Sequence, residues 1–170
     1  MIGAGPFRVA AFVLFGISAA AAQAQIVSTG AQNRPAIAKG ESVSYLFPEQ
    51  VTIPASKPNQ VALHFRVAQG FHINSHTPSD DYLIPTEFSI PNGAAVRLDA
   101  ATYPAGTVIS LPADPKTRLN VYTGEFIIQA RMVAAPGNHL VQAKLHYQAC
   151  DQSQCLPPKT INVPIDVIGK

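Results

Sequence analysis

Charged residues are scarce in this chain of 170 amino acids, and those present are scattered. Asp, Glu, Lys and Arg make up 13% of the residues, and the formal net charge at pH 7 is +2. No basic stripe or arginine cluster occurs, which argues against a surface for nucleic acid or for anionic membranes. Nucleic acid is therefore not expected among the partners of this protein.

Several motifs of catalytic and cofactor sites are also missing. The chain has no Gly-x-Ser-x-Gly elbow, no His-Glu-x-x-His zinc motif and no phosphate-binding loop. Its two methionines are Met1 and Met132, too few for a methionine-rich copper site. We therefore expect a function that requires no cofactor.

One apolar run has the character of an export signal. Arg8 precedes apolar residues 9–22, and Ala22-Gln23-Ala24 places small residues at the two positions that a signal peptidase inspects. The run is short for a membrane span of about 20 apolar residues. We predict a signal peptide over residues 1–24, cleaved near Ala24, with no membrane span left afterwards; an uncleaved anchor is the alternative.

The remaining chain has the size of one domain. Roughly 146 residues (170 less 24) follow the predicted cleavage site. Residues 25–40 are small and polar without any period, which predicts a flexible N-terminal segment. Residues 41–170 are then the predicted domain.

Within residues 41–170, apolar and polar residues alternate with a period of two. The alternation is clearest over residues 61–67, 141–147 and 161–167. No window carries a helical stripe, and the 15 prolines of the full chain suit short strands with stiff turns. The pattern predicts seven to nine strands in an all-β, immunoglobulin-like antiparallel β-sandwich.

Less regular stretches give further predictions. Pro164 cannot donate to a ladder, so its strand should be an edge or have its amide side open. Residues 105–120 are predicted to be a mobile loop, because glycine and proline interrupt any strand pattern there. Further strands are predicted near residues 42–47, 70–74, 86–90, 95–102 and 121–133.

The two cysteines, Cys150 and Cys155, stand close together near the end of the chain. A bridge between them would close a loop of about six residues, and loop-closure entropy makes that worth only about 2 kcal/mol. The spacing favours a pair that opens and closes, and a structural disulfide is the alternative. Cys150 continues the parity of His146 and Gln148, so we expect it on a polar strand face, with the pair spanning a hairpin-like connection.

Neighbouring residues distinguish the two thiols. Asp151 places a carboxylate beside Cys150, which raises the thiol pKa and weakens that thiol as a nucleophile. Pro157 and Pro158 fix φ just after Cys155, which favours its presentation.

Three histidines are further candidates. His146 shares the predicted strand face of Cys150 and could stabilise a thiolate, although an exposed strand histidine is the simpler interpretation. His72 and His76 lie near Asp80 and Asp81, residue types that suit zinc or copper. Solvated or hydrogen-bonded loop histidines are favoured there over a metal carrier that would also use the thiols.

The motif Tyr147-Gln148-Ala149-Cys150, followed by Cys155-Leu156-Pro157-Pro158, resembles a known family. The family is the periplasmic N-terminal domain of the thiol:disulfide interchange protein DsbD, or disulfide bond corrector family. Residues 70–78 and 121–124 also resemble family motifs. The resemblance implies a periplasmic, immunoglobulin-like sandwich in which Cys155 forms mixed disulfides and Cys150 resolves them.

The resemblance also implies a function. Such a domain relays reducing equivalents from a thioredoxin-like donor to periplasmic thiol oxidoreductases, and is in that sense a thiol:disulfide oxidoreductase. Because this chain ends at Lys170, we expect the donor to be another polypeptide. The alternative is a non-catalytic β-sandwich binding module with a structural hairpin disulfide.

The family pattern further includes an aromatic side chain that covers the cysteines from a flexible loop. The matching residues 105–120 contain no aromatic residue. Leu111 or Leu119 would have to take its place.

Overall fold

Every regular element in the described residues is a β-strand. The structure, a computed structural model, describes Met1 and residues 41–46, 50–93, 95–112 and 114–170. Within these residues no helix has the length and apolarity needed to cross a membrane. The predicted signal peptide, apart from Met1, and the predicted segment 25–40 lie outside the described residues.

In the described part of the chain, twelve strands form three four-stranded sheets, each called a ladder here. The ladder orders are β1-β3-β9-β6, β2-β12-β10-β5 and β11-β4-β8-β7. All described pairs are antiparallel except β2 with β12, which is parallel. The predicted all-β, immunoglobulin-like sandwich is confirmed. The strands are β1 Val43–Leu46, β2 Gln50–Ile53, β3 Asn59–Val67, β4 His72–Asn74, β5 Glu87–Ser89, β6 Val96–Thr102, β7 Thr107–Leu111, β8 Asp114–Tyr122, β9 Glu125–Ala134, β10 Gly137–Tyr147, β11 Ala149–Cys150 and β12 Lys159–Gly169.

The core is made by the apolar halves of the alternating strands. On β10 every second residue from Val141 to Tyr147 is buried, and β12 matches it across the ladder. Ala143 faces Val163 in this register, so the two strands bury the same face. Side chains from all three ladders join one hydrophobic cluster, which includes Phe65, Leu145 and Ile73.

Pro164 does not lie on an edge strand. β12 stands between β2 and β10, so the edge alternative is wrong. β2, however, pairs only with Asp166–Gly169, and Pro164 lies beyond that contact. Among the described residues none pairs with Pro164 on the β2 side, so no described strand there lacks a hydrogen bond because of the missing N–H.

The predicted loop over residues 105–120 is wrong, because it contains the hairpin β7–β8. Thr107 pairs with Val121 and Ile109 pairs with Leu119. Sequence reasoning failed here because the prolines fall where the ladder is irregular. The register shifts between Ser110 and Leu111, and Pro115 lies inside that shift, where a strand tolerates proline.

The single strand predicted over residues 121–133 is two strands. β8 ends at Tyr122 and β9 begins at Glu125. Gly124 lies between them with φ of 60°, a left-handed conformation that glycine adopts without steric cost. The chain therefore turns from one ladder to another at this residue.

Two leucines on β10 test the core assignment. Leu145 is fully buried, and Leu140 on the same strand is 69% exposed. We expect Leu145→Ala to lower the free energy of unfolding by about 2–5 kcal/mol, since it removes buried apolar atoms and leaves a cavity. Leu140→Ala is the matched control and should change it by less than about 0.5 kcal/mol. Urea unfolding of both variants measures this, and equal losses would contradict the assignment.

Candidate functional site

The two cysteines form a disulfide across a tight hairpin. Cys150 and Cys155 pair as an antiparallel bridge, with Cα atoms 3.9 Å apart. Asp151 N donates to Gln154 O at 2.9 Å, and Leu156 N donates to Ala149 O at 2.8 Å. These bonds flank the cysteines, which therefore occupy a non-hydrogen-bonded position, where antiparallel Cα atoms lie closest. The predicted hairpin connection is confirmed, with a Cα separation below the usual range of about 4.4–6.8 Å.

Asp151 holds the turn between the cysteines. Its Oδ1 accepts hydrogen bonds from Ser153 N at 2.7 Å, Gln154 N at 2.8 Å and Ser153 Oγ at 2.8 Å. The backbone bond from Ser153, then that from Gln154, and a smaller attraction from His72 hold the pKa of Asp151 below its usual value. Asp151 therefore stabilises the hairpin independently of the sulfur–sulfur bond. Its predicted effect on the thiol of Cys150 stays a prediction.

The two sulfur-bearing residues differ sharply in exposure. Cys150 is only 4% exposed, whereas Cys155 is exposed. On its other side Cys150 pairs with His72 of β4, so it has neighbours on both sides and Cys155 lies beyond it. Cys150 keeps the parity of His146 and Gln148, because Ala149 continues the series of β10 residues that face the core, but Cys150 is buried although it lies on the polar face.

Cys150 lies on the face of its ladder that points away from the main core. Its neighbour Ala149 pairs with Ile73, and both belong to the hydrophobic cluster. Because strand side chains alternate, Cys150 and His72 share the opposite face. Asn74 shares it too, and its Nδ2 donates to Ile84 O at 3.0 Å. The segment around Ile84 therefore lies over this face and contributes to its burial.

His72 is buried beside the disulfide. It is 6% exposed, and its Nε2 has no hydrogen-bond partner among the described residues. Burial lowers the pKa of His72, and the nearby carboxylate of Asp151 opposes this only in part. The imidazole is therefore neutral at pH 7. His72 is therefore a buried strand residue, and its interpretation as a solvated loop histidine is wrong.

The other two candidate histidines are engaged elsewhere. His146 lies on β10, in a different ladder from Cys150, with Nδ1 2.9 Å from Thr160 Oγ1. His76 stacks on Tyr103 with ring centroids 3.8 Å apart, and its Nδ1 lies 3.0 Å from Thr86 O. Among the described residues, no group of three or more His, Cys, Asp or Glu side chains is placed to hold a metal.

The proposed covering leucines lie on the β7–β8 hairpin. Cys150 pairs with His72, and the next residue of β4, Ile73, pairs with Tyr122 of β8. Leu119 of β8 is therefore four residues along the strand from the position level with Cys150, a distance of about 13 Å at the usual rise per residue. Leu111 is further along still, at the tip of the hairpin. This register does not favour either leucine as the cover of the disulfide.

The segment after Cys155 is presented to solvent. Pro157 and Pro158 are exposed, as Cys155 is. Leu156, between Cys155 and Pro157, is part-buried and packs against the hydrophobic cluster, and its carbonyl accepts from Gln148 Nε2 at 3.2 Å. Leu156 therefore anchors this segment and leaves Cys155 accessible.

Comparison with known proteins agrees with this geometry. The profile of the family described as "Thiol:disulfide interchange protein DsbD, N-terminal" matches residues 42–166. The chain belongs to this family. The resemblance to the DsbD N-terminal family predicted from the sequence is thereby confirmed, and the Cys150–Cys155 disulfide lies within the matched residues.

One solved structure similar to the chain is the reduced form of the DsbD N-terminal domain of Neisseria meningitidis. It is 19% identical, with a TM-score of 0.46, and the match covers 68% of this chain and 82% of that one. Among curated proteins, no match was found.

Sequence reasoning missed two features of the DsbD N-terminal site. The spacing Asp151-x-Ser153 is a turn signal and could have been read as such. The pairing of His72 with Cys150 had no local signal, because it depends on which distant strands meet.

The turn makes the hairpin pH-sensitive. The pKa of Asp151 is lower in the folded protein than in the unfolded chain. Its contribution to the free energy of unfolding is therefore present above the unfolded pKa, near 3.9, and is lost as the pH falls through the folded pKa. We expect Asp151→Ala to destabilise the protein at neutral pH, and the difference from wild type to shrink below about pH 4. Urea unfolding across pH measures this. Asp151→Asn retains a hydrogen-bond acceptor and should lose less stability than Asp151→Ala. A stability difference between Asp151→Ala and wild type that does not change with pH would contradict the account.

The fold should survive loss of the disulfide. The bridge closes a loop of about six residues, so Cys150→Ala with Cys155→Ala should lower the free energy of unfolding by about 1–3 kcal/mol. Denaturant unfolding of the double variant against the oxidised wild type tests this. A double variant that does not fold at room temperature would indicate a structural disulfide instead.

Proposed function

We propose that this protein is a periplasmic thiol–disulfide exchange domain. It takes reducing equivalents from a thioredoxin-like protein or domain and passes them to periplasmic thiol oxidoreductases through Cys150 and Cys155. Family membership and the disulfide support the exchange chemistry. The predicted export signal, residues 1–24, supports the compartment, in which disulfides form and persist.

The observation that carries this proposal is the unequal exposure of the two sulfur-bearing residues. Exchange begins when a thiolate attacks one sulfur of a disulfide, so access decides which sulfur is attacked. Cys155 is exposed at the hairpin and Cys150 is 4% exposed. A partner thiolate therefore reaches Cys155, and Cys150 becomes the leaving group.

The exchange follows with a balance of two electrons. The donor thiolate bonds to Cys155 Sγ, the Cys150–Cys155 bond breaks, and its electron pair stays on Cys150. A second donor thiolate then attacks the donor sulfur of the mixed disulfide and releases the Cys155 thiolate. The donor leaves as a disulfide, and the two thiolates of this protein take protons from solvent. Reduction of an acceptor disulfide runs through the same steps in reverse.

The hairpin suits repeated opening. Asp151 and two backbone hydrogen bonds hold the turn in place without the sulfur–sulfur bond. The side chains of Gln152, Ser153 and Gln154 at its tip are exposed and carry no charge. These three residues add no charge to that of Asp151, so the tip itself does not select partners by charge and can meet donors and acceptors in turn.

Trapping of mixed disulfides tests the order of the cysteines. Cys150→Ala leaves the exposed Cys155 without its resolving thiol, so a covalent complex with an oxidised thioredoxin-like protein should accumulate. Cys155→Ala leaves only the buried thiol and should trap little. A non-reducing gel of each variant with the same partner measures this.

The outcomes separate the candidate functions. Trapping by Cys155→Ala alone would reverse the assigned order, and equal trapping would contradict the role of exposure. No trapping by either variant with several thioredoxin-like partners would favour the alternative, a binding module with a structural disulfide. The double alanine variant is the control for complexes that do not involve these thiols.

A further inference from the structure

We propose that His72 is a positioning residue for this exchange, and that its Nε2 forms a hydrogen bond with Cys150 Sγ once the disulfide opens. The inference rests on the proposed function, since it concerns the opened states of the same pair. It assigns to a histidine on a distant strand a role specific to one of the two cysteines.

Strand pairing brings the two residues together. His72 and Cys150 face each other directly in the β4–β11 ladder. Residues opposed in this way have Cβ atoms about 4.5–5.5 Å apart and side chains on the same face. Ile73 and Ala149, the next pair, occupy the other face in the core. The imidazole and the sulfur therefore share one small buried region.

The imidazole has an unused hydrogen-bonding atom there. His72 Nε2 is buried and has no partner among the described residues of the oxidised protein. Buried polar atoms in native proteins are nearly always paired, so such an exception calls for an explanation. A partner that arises only when the disulfide opens supplies one.

Opening the disulfide creates that partner. The electron pair of the broken bond stays on Cys150 Sγ, which becomes a thiolate with little access to water. The carboxylate of Asp151 is the charged neighbour and disfavours this thiolate. A neutral imidazole can donate from Nε2–H to the thiolate, and in its other tautomer Nε2 can accept from the thiol after a proton arrives from solvent. His72 thus accommodates both protonation states of Cys150.

Cys155 needs no such partner. It is exposed, so water can solvate its thiolate whenever the mixed disulfide is resolved. The effect of His72 should therefore appear in the properties of Cys150 and be nearly absent from those of Cys155. This asymmetry separates a positioning role from general packing.

The first test uses the wild-type protein in the absence of any partner. Nitrogen NMR of the histidine rings is recorded on the oxidised protein and again after reduction with a small dithiol. We expect the Nε2 resonance of His72 to shift on reduction, while both ring nitrogens of His146 stay in place. An unchanged His72 resonance would overturn the proposal.

The second test isolates the Cys150 thiol in the Cys155→Ala background. His72→Phe keeps a ring without hydrogen-bonding nitrogens, and should raise the thiol pKa of Cys150 by about one unit or more. His72→Gln keeps a donor and should restore part of the shift. His146→Phe is the matched histidine control and should leave the pKa unchanged. The pH titration of thiolate ultraviolet absorbance measures all four proteins.

These results test the role of His72 independently of the proposed exchange function. An unchanged Cys150 pKa in a folded His72→Phe protein overturns it, as does an equal shift of the Cys155 pKa in the Cys150→Ala background. If His72→Phe does not fold, the wild-type NMR result and His72→Gln decide. Failure of partner trapping would reject the exchange function and leave these measurements, made without partners, intact.

Discussion

The site depends on Cys150 being paired on both sides. On one side it faces His72 of β4, and on the other it faces Cys155 across the hairpin. These two partners, together with the segment around Ile84 that lies over the same face, leave Cys150 4% exposed, while Cys155 at the outer position is exposed. The disulfide therefore joins a buried cysteine to an exposed one, an asymmetry that suits ordered thiol exchange.

The surroundings of the pair separate folding from redox chemistry. Ala149 and Ile73 attach the hairpin to the sandwich core, and Asp151 closes the turn through backbone hydrogen bonds. The sulfur–sulfur bond is added to a hairpin that already has its own restraints. Its cleavage can therefore change the state of the two sulfurs while the strands remain in register.

Sequence alone predicted the strands whose burial alternates, and the reason is local. In β3, β10 and β12 every second side chain enters the core, so the period of two is visible without knowing the partners. The hairpin β7–β8 was not predicted, because its prolines fall in an irregular part of the ladder. In the site, too, features set by neighbouring residues could be predicted, and features set by distant strands could not. The cysteines and the turn could be predicted from adjacent residues, whereas the burial of Cys150 depends on segments distant in sequence, the strand carrying His72 and the residues around Ile84.

The reduction potential of the Cys150–Cys155 couple is the most direct test of the exchange function. It is measured by equilibrating the protein with defined ratios of reduced and oxidised dithiol buffer and quantifying the free thiols. We predict a potential above about −300 mV, in the range of pairs that exchange with thioredoxin-like proteins. A value well below about −300 mV would show a structural disulfide and contradict the function proposed for this hairpin.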